Sequence, residues 1–253
     1  MKVARYSVAG DIKFGLVNGQ ELVAFQGHPL VNDYVTTGEV HQLSEVRLLA
    51  PTVPSKVVCV GKNYQDHIAE MGLATQPEPT LFLKPNSAII AHGDTIMLPP
   101  QSKQVDLEVE LAIVIGKVAK NVSEANAHKV IWGYTLANDV TARDLQFTDD
   151  QWARSKSFDT FCPLGPWIDT EWQPAAQQIS SAINGETKQS ATLDLMIHNV
   201  PQIVSYVSQN MTLLPGDVIL TGTPAGITKI SNGDLVICSI DGLDSLVNPV
   251  AAI

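Results

Sequence analysis

Cysteine, aromatic residues and charge are all scarce in this sequence. Of 253 residues three are cysteine, 6% are aromatic and 17% are charged. Cys59, Cys162 and Cys238 are odd in number and widely spaced, and no CxxC pair occurs. That argues against a disulfide framework and for reduced intracellular thiols. No run approaches the roughly 18 apolar residues that a membrane-spanning helix requires. No apolar segment follows the start Met1-Lys2-Val3-Ala4-Arg5, so no signal peptide is expected. Lys and Arg number 16 against 26 Asp and Glu, a net charge of -10. The acidic balance argues against nucleic-acid binding, and Lys and Arg are too dispersed to show a basic patch. There is no HExxH zinc motif, no G-x-S-x-G elbow and no P-loop. The expectation is a soluble, cytoplasmic protein with neither nucleic acid nor membrane as partner.

What is present is an ordinary globular composition, 45% apolar. A chain of this length buries roughly three quarters of its unfolded surface. The first fifty residues predict a small β element, with strands at 12–17 and 22–25 about the hairpin signal Asn18-Gly19. Pro51 and Pro54 bracket a linker, which divides the chain into a small N-terminal β domain, 1–52, and a main domain, 53–253. An apolar strand at 57–60 leads into a short helix over 63–71, stopped by Gly72. Strands are expected around 81–83, 88–91, 95–98, 105–115, 130–140, 217–220 and 235–240. Ser123 is the expected N-cap of a helix to 129, and Asn199 of an amphipathic helix to about 209. Strands outnumber helices and do not alternate with them, so the fold class is strand-rich α+β and not a doubly wound sheet.

Five segments carry chemistry. In 105–115, alternation puts Val105, Leu107, Val109 and Leu111 on one face and Asp106, Glu108 and Glu110 on the other, about 7 Å apart. Acids are poor strand formers and repel each other there. A divalent cation would resolve the repulsion, since carboxylates suit Mg²⁺, Mn²⁺ or Ca²⁺; a solvated edge-strand face is the alternative. Asp139 sits where an apolar strand gives way to a polar turn. Arg143 and Gln146 share a face if a helix starts near Thr141, and would suit a carboxylate or keto-acid ligand. The competing partner for Arg143 is a neighbour such as Asp144. His67 and Glu70, at i and i+3, make either a general base or an incidental surface pair. Lys156 lies in a loop rich in aromatics, Pro and Gly. The turn Thr221-Gly222-Thr223-Pro224-Ala225-Gly226 exposes N–H groups able to hold an anion, or is a plain tight turn. Cys162 has no histidine in its own segment to make it a nucleophile.

Together these segments resemble the fumarylacetoacetate hydrolase family over roughly residues 56–245. The matching stretches are Gly61-Lys62-Asn63-Tyr64 through His67 and Glu70, then Asp106-Leu107-Glu108-Val109-Glu110-Leu111. Asn138-Asp139-Val140-Thr141-Ala142-Arg143-Asp144, Lys156-Ser157-Phe158-Asp159, Gly165-Pro166 and the 221–226 turn follow in order. The resemblance implies a mixed β-sandwich roll, an incomplete barrel, assembled as a homodimer. It implies Mg²⁺ or Mn²⁺ on Glu108, Glu110 and Asp139, with Asp106 a companion. His67 and Glu70 match the dyad that activates water, and Lys156 matches the active-site lysine. Arg143, Gln146 and Thr223 match residues that contact substrate. The longer hydrolases of the family carry another acid shortly before the histidine. Here 60–63 has none, which indicates the short, bacterial-type branch acting on pyruvate-like substrates. The implied activity is C–C cleavage of a 2-oxo acid through a metal-stabilised pyruvate enolate, by acylpyruvate hydrolysis or oxaloacetate decarboxylation. The alternatives are an isomerase or decarboxylase of hydroxyheptadienedioate-type intermediates and, from another class, a non-catalytic metal-binding module.

Overall fold

The computed structural model describes residues 1–31 and 33–252. A twelve-stranded sheet carries most of the chain. Its path starts in the N-terminal strands Val35–Gln42, Glu21–Gln26, Asp11–Asn18 and Lys2–Val8 and crosses to Cys162–Asp169. It continues through Ile131–Asn138, Val109–Ile115, Val218–Leu220 and Val57–Gly61 to Thr80–Lys84. A five-stranded sheet, in which Gln178–Ile183 and Leu235–Ile240 are central, shares the main core with it. A three-stranded sheet joins Thr141–Ala142, Val105–Leu107 and Thr228–Lys229. The result is a strand-rich α+β roll with open edges and no closed barrel among the described residues, as the sequence predicts.

The Val109–Ile115 strand is buried along its whole length. Leu111, Ile113 and Ile115 enter the main core, while Ala112 and Val114 pack on the other side with Val57, Leu164 and Leu220. Burial on both faces explains a continuous apolar run in place of alternation. Each large aliphatic so buried contributes about 1.5–3 kcal/mol.

The N-terminal strands form their own small core of Ala4, Tyr6 and Leu22 against Trp167. Lys2–Val8 also pairs with Cys162–Asp169, so the main sheet runs continuously across residue 52. The first hairpin turns at Ala9-Gly10, and the second, expected about Asn18-Gly19, turns at Gly19-Gln20 with Asn18 paired to Glu21. The linker is pinned by the fully buried Asp217, which accepts from Ser55 N–H at 3.0 Å and Ser55 Oγ at 2.6 Å and pairs with Lys56.

Asn199 caps the helix Val200–Asn210 through a capping box with Gln202. Ser123 makes no such bond: its hydroxyl accepts from the Asn126 side chain at 2.9 Å, and Glu124–Lys129 is a 3-10 helix. The expected strand at 88–91 is shorter, Ile89–Ile90, following a 3-10 turn at Asn86–Ala88.

Candidate active site

The expected strand 105–115 is two strands. It breaks at Glu108, with Val105–Leu107 in the small sheet and Val109–Ile115 in the large one. Side chains from elsewhere satisfy the backbone at the break. Glu108 N–H donates to Asn138 Oδ1 at 2.9 Å, and Val109 N–H donates to Gln189 Oε1 at 2.9 Å. Val105, Leu107, Val109 and Leu111 do share one core. The acids are not a solvated face: Asp106, Glu108 and Glu110 are at most 3% exposed.

Strand register gathers the third acid. Val109 pairs with Asn138, so Asp139 emerges beside Glu108, and Asp139 N–H donates to the Glu108 carbonyl at 2.9 Å. One carboxylate oxygen from each of Glu108, Glu110 and Asp139 lies within 4.8 Å of the others. Cations surround the cluster. Lys156 Nζ is 2.7 Å from both Glu108 Oε2 and Asp139 Oδ2. Lys84, fully buried, pairs with the other oxygen of Asp139. Arg143 donates through Nε to Asp106 at 2.8 Å and pairs with Glu108 and Gln146. Asp106 is therefore tied to Arg143 and lies outside the triad. Asp144 is not the partner of Arg143; it accepts from Ser102 Oγ at 2.6 Å and Lys103 N–H at 2.9 Å.

These neighbours divide the acids electrostatically. Burial alone would raise the Glu108 carboxyl, but the Lys156 and Arg143 charges hold it well below the usual range. Burial, with the charges of Asp139 and Glu108, drives Glu110 well above that range. Its polar contact is Gly222 N–H at 2.6 Å. Lys156 is pushed down by burial and, more strongly in sum, up by Asp139 and Glu108, so it stays an ammonium. Three converging carboxylates, one without a cation of its own, are a hard-oxygen donor set that fits Mg²⁺ or Mn²⁺.

The turn after Val218–Leu220 holds both halves of the site. Gly222 N–H serves Glu110, and Gly226 N–H donates to Glu70 Oε1 at 3.0 Å. Two of the turn N–H groups thus bind the protein's own carboxylates. Gly222 and Gly226 have φ of +96° and +98°, and a Cβ on Gly226 would lie 2.1 Å from the Lys188 carbonyl. No other residue fits there. Glu70 Oε2 is 3.2 Å from His67 Nδ1 on the helix Gln65–Glu70. His67 is buried, while Glu70 is exposed at the rim. Thr223 Oγ1 donates to the Val109 carbonyl at 2.9 Å and accepts from Gln189 Nε2 at 2.8 Å, so its one proton is already engaged.

Of the expected residues, His67, Glu108, Glu110, Asp139, Arg143, Gln146, Lys156 and Thr223 line one cleft of about 160 Å³, with Glu70 behind His67. Phe82, Trp152 and Phe147 form its apolar wall. Sequence reasoning missed Lys84 and Gln189. A lysine closing the apolar run Thr80–Lys84 was a usable signal for the first. Gln189, which joins Val109, Ser181, Thr223 and the Pro224 carbonyl, has no sequence signature. The cysteines are buried and unpaired, and burial pushes the Cys162 thiol up to about 12, which makes it a poor nucleophile. No helix among the described residues is long and apolar enough to cross a membrane.

An open β-roll enclosing a carboxylate-rich cleft defines a class, and comparison with known proteins gives the family. The family described as fumarylacetoacetate (FAA) hydrolase C-terminal matches residues 56–251, and the one described as Rv2993c-like, N-terminal, matches residues 1–51. The chain belongs to the fumarylacetoacetate hydrolase family and is an enzyme of that family. Protein Rv2993c of Mycobacterium tuberculosis is 48% identical over 99% of this chain and 98% of its own length. The mitochondrial oxaloacetate tautomerase FAHD2A of Homo sapiens is 44% identical over 82% of this chain and 70% of its own. The crystal structure of 2-hydroxyhepta-2,4-diene-1,7-dioate isomerase from Mycobacterium marinum is 45% identical with a TM-score of 0.93, covering 100% and 98% of the two chains. Maleylpyruvate hydrolase from Sphingobium sp. SYK-6, solved with manganese(II) and pyruvate, is 27% identical with a TM-score of 0.83, covering 100% and 99%.

Proposed function

We propose that this enzyme acts on a 2-oxo acid through its enolate, cleaving a C–C bond by acylpyruvate hydrolysis or oxaloacetate decarboxylation. The observation that carries the reading is the meeting, in one buried cleft, of the Glu108–Glu110–Asp139 triad, Lys156 and the His67–Glu70 pair. A Mg²⁺ or Mn²⁺ held by the triad would supply Lewis-acid stabilisation of negative charge on the 2-oxo oxygen.

The protein's own groups do the rest. Glu70 accepts from Gly226 N–H through one oxygen and faces His67 Nδ1 with the other, which orients the imidazole and leaves Nε2 as the proton-transfer atom. In hydrolysis, Nε2 takes the proton of the water that attacks the distal carbonyl. Lys156, kept charged by its acids, serves as a proton donor to the departing enolate and not as a base. Arg143 and Gln146 are locked together and orient the substrate carboxylate. Thr223 joins that contact by turning its hydroxyl proton from the Val109 carbonyl to the carboxylate, while Gln189 Nε2 still donates to its oxygen.

A second reading is isomerisation, in which a proton moves between carbon and oxygen and no bond to carbon is cleaved by water. It is favoured by the relatives' names: tautomerase and isomerase stand at 44% and 45% identity, the hydrolase at 27%. The same enolate and the same His67 serve both. Steady-state turnover of oxaloacetate and acetylpyruvate, with Mg²⁺, Mn²⁺ or excess EDTA, tests the proposal. Metal-dependent conversion of either supports it, and enol–keto conversion of oxaloacetate without loss of CO₂ selects the second reading. Metal binding without turnover of either would point to a longer dienedioate or a sugar acid as the substrate.

A further inference from the structure

Lys62 is a cation at the cleft with no carboxylate partner. Of the basic residues lining the cleft, Lys156 and Arg143 are each paired with two acids, whereas Lys62 forms no ion pair among the described residues. Its ammonium stands over the Trp152 ring, 5.9 Å from the centroid. That contact holds a cation in place and leaves its three N–H donors available.

The backbone fixes this position. Lys62 has φ +62°, a left-handed conformation that a residue with a Cβ adopts only where the surroundings impose it. Both neighbours do so. Trp152 lies so close over Gly61 that a Cβ there would sit 2.7 Å from its ring, and the ring packs edge-on against Phe82. Asn63 is fully buried and donates to the His198 carbonyl at 3.0 Å and the Thr221 carbonyl at 2.7 Å, while its Oδ1 accepts from His198 N–H at 2.7 Å. The chain is clamped on either side of Lys62 and holds its side chain against the aromatic wall of the cleft.

We infer that Lys62 is a specificity residue that recognises a second, distal carboxylate, so that the substrate is a dicarboxylate bearing the 2-oxo acid at its other end. The inference rests on the reading that the buried floor binds a 2-oxo acid head. The floor's cations are neutralised by its own acids, so a distal carboxylate finds its free partner at Lys62, with the apolar wall along the carbon chain between. A neutral acyl end, as in a simple acylpyruvate, would leave that cation unused.

The test uses the full chain loaded with Mg²⁺, with binding read by calorimetry. Pyruvate reports the head alone. The dicarboxylates 2-oxoglutarate, 2-oxoadipate and 2-oxopimelate are each compared with the 2-oxo monocarboxylate of the same length. At the length that reaches Lys62, the dicarboxylate should bind about tenfold or more tightly than its counterpart, as a charge-assisted bond provides. Lys62→Gln should abolish that preference and leave pyruvate within about twofold, while Lys62→Arg retains it. Lys62→Gly, which relieves the left-handed backbone, should lose the preference equally. No preference at any length in the wild type, or a preference that survives in the Gln and Gly variants, would overturn the assignment. Failure of pyruvate itself to bind would instead overturn the 2-oxo acid reading beneath it.

Discussion

Replacing Glu110 with glutamine should stabilise the metal-free protein by an amount that grows with pH. Glu110 is 2% exposed; burial first, then the charges of Asp139 and Glu108, raise its carboxyl well above 4.5. Above that pH the folded chain keeps a proton that the unfolded chain has released. The native state then binds more protons than the unfolded state, so stability is lost as pH rises through this window. The slope for one proton is about 1.4 kcal/mol per pH unit. Glutamine preserves the shape and still accepts from Gly222 N–H, but has no proton to lose. The stability advantage of Glu110→Gln over wild type should therefore widen from about pH 5 to about pH 6, by up to about 1.4 kcal/mol. Urea unfolding in EDTA, at both pH values, measures it. A difference that stays flat would mean that Glu110 is ionised in the folded apo-protein, and would refute the electrostatic division of the triad. Mg²⁺ should reverse the order, because the ion displaces the proton and stabilises only the wild type.

Three further outcomes are expected. His67→Ala should lower turnover at least about a hundredfold while calorimetry shows Mg²⁺ affinity unchanged, since His67 pairs with Glu70 and not with the triad. Lys84→Met leaves Asp139 with Lys156 alone and should destabilise the metal-free protein by about 3 kcal/mol in urea, the lower end for a broken buried pair. Sedimentation should show the homodimer that the family resemblance implies; a monomer at micromolar concentration would remove that expectation.

Much of the site was legible because its chemistry violates local preference. Acids in the apolar stretch 105–115 are costly without a cation, and that stretch indeed leads into the triad. The 3.6-residue period placed His67 beside Glu70 and Arg143 beside Gln146, and both contacts are made. The cap at Asn199 was readable from its residue type, and Gln202 completes a capping box within the same turn. What escaped was long-range. The break at Glu108 depends on Asn138 and Gln189, thirty and eighty residues away, taking the backbone N–H groups that a continuous strand would pair. Arg143 chose Asp106 and Glu108 over Asp144 because the fold brings them together in a buried cleft, where an unpaired charge is costly. The role of Gly226 followed from the approach of Lys188, which no local pattern encodes.

The central claim, enolate chemistry that depends on the acid triad, is tested most directly by proton exchange. Pyruvate in D₂O should exchange its methyl protons in the presence of the protein and Mg²⁺, followed by NMR. The account predicts exchange well above the buffer rate, abolished by EDTA and by Glu110→Gln. Bound Mg²⁺ and bound pyruvate with exchange no faster than in buffer would contradict it.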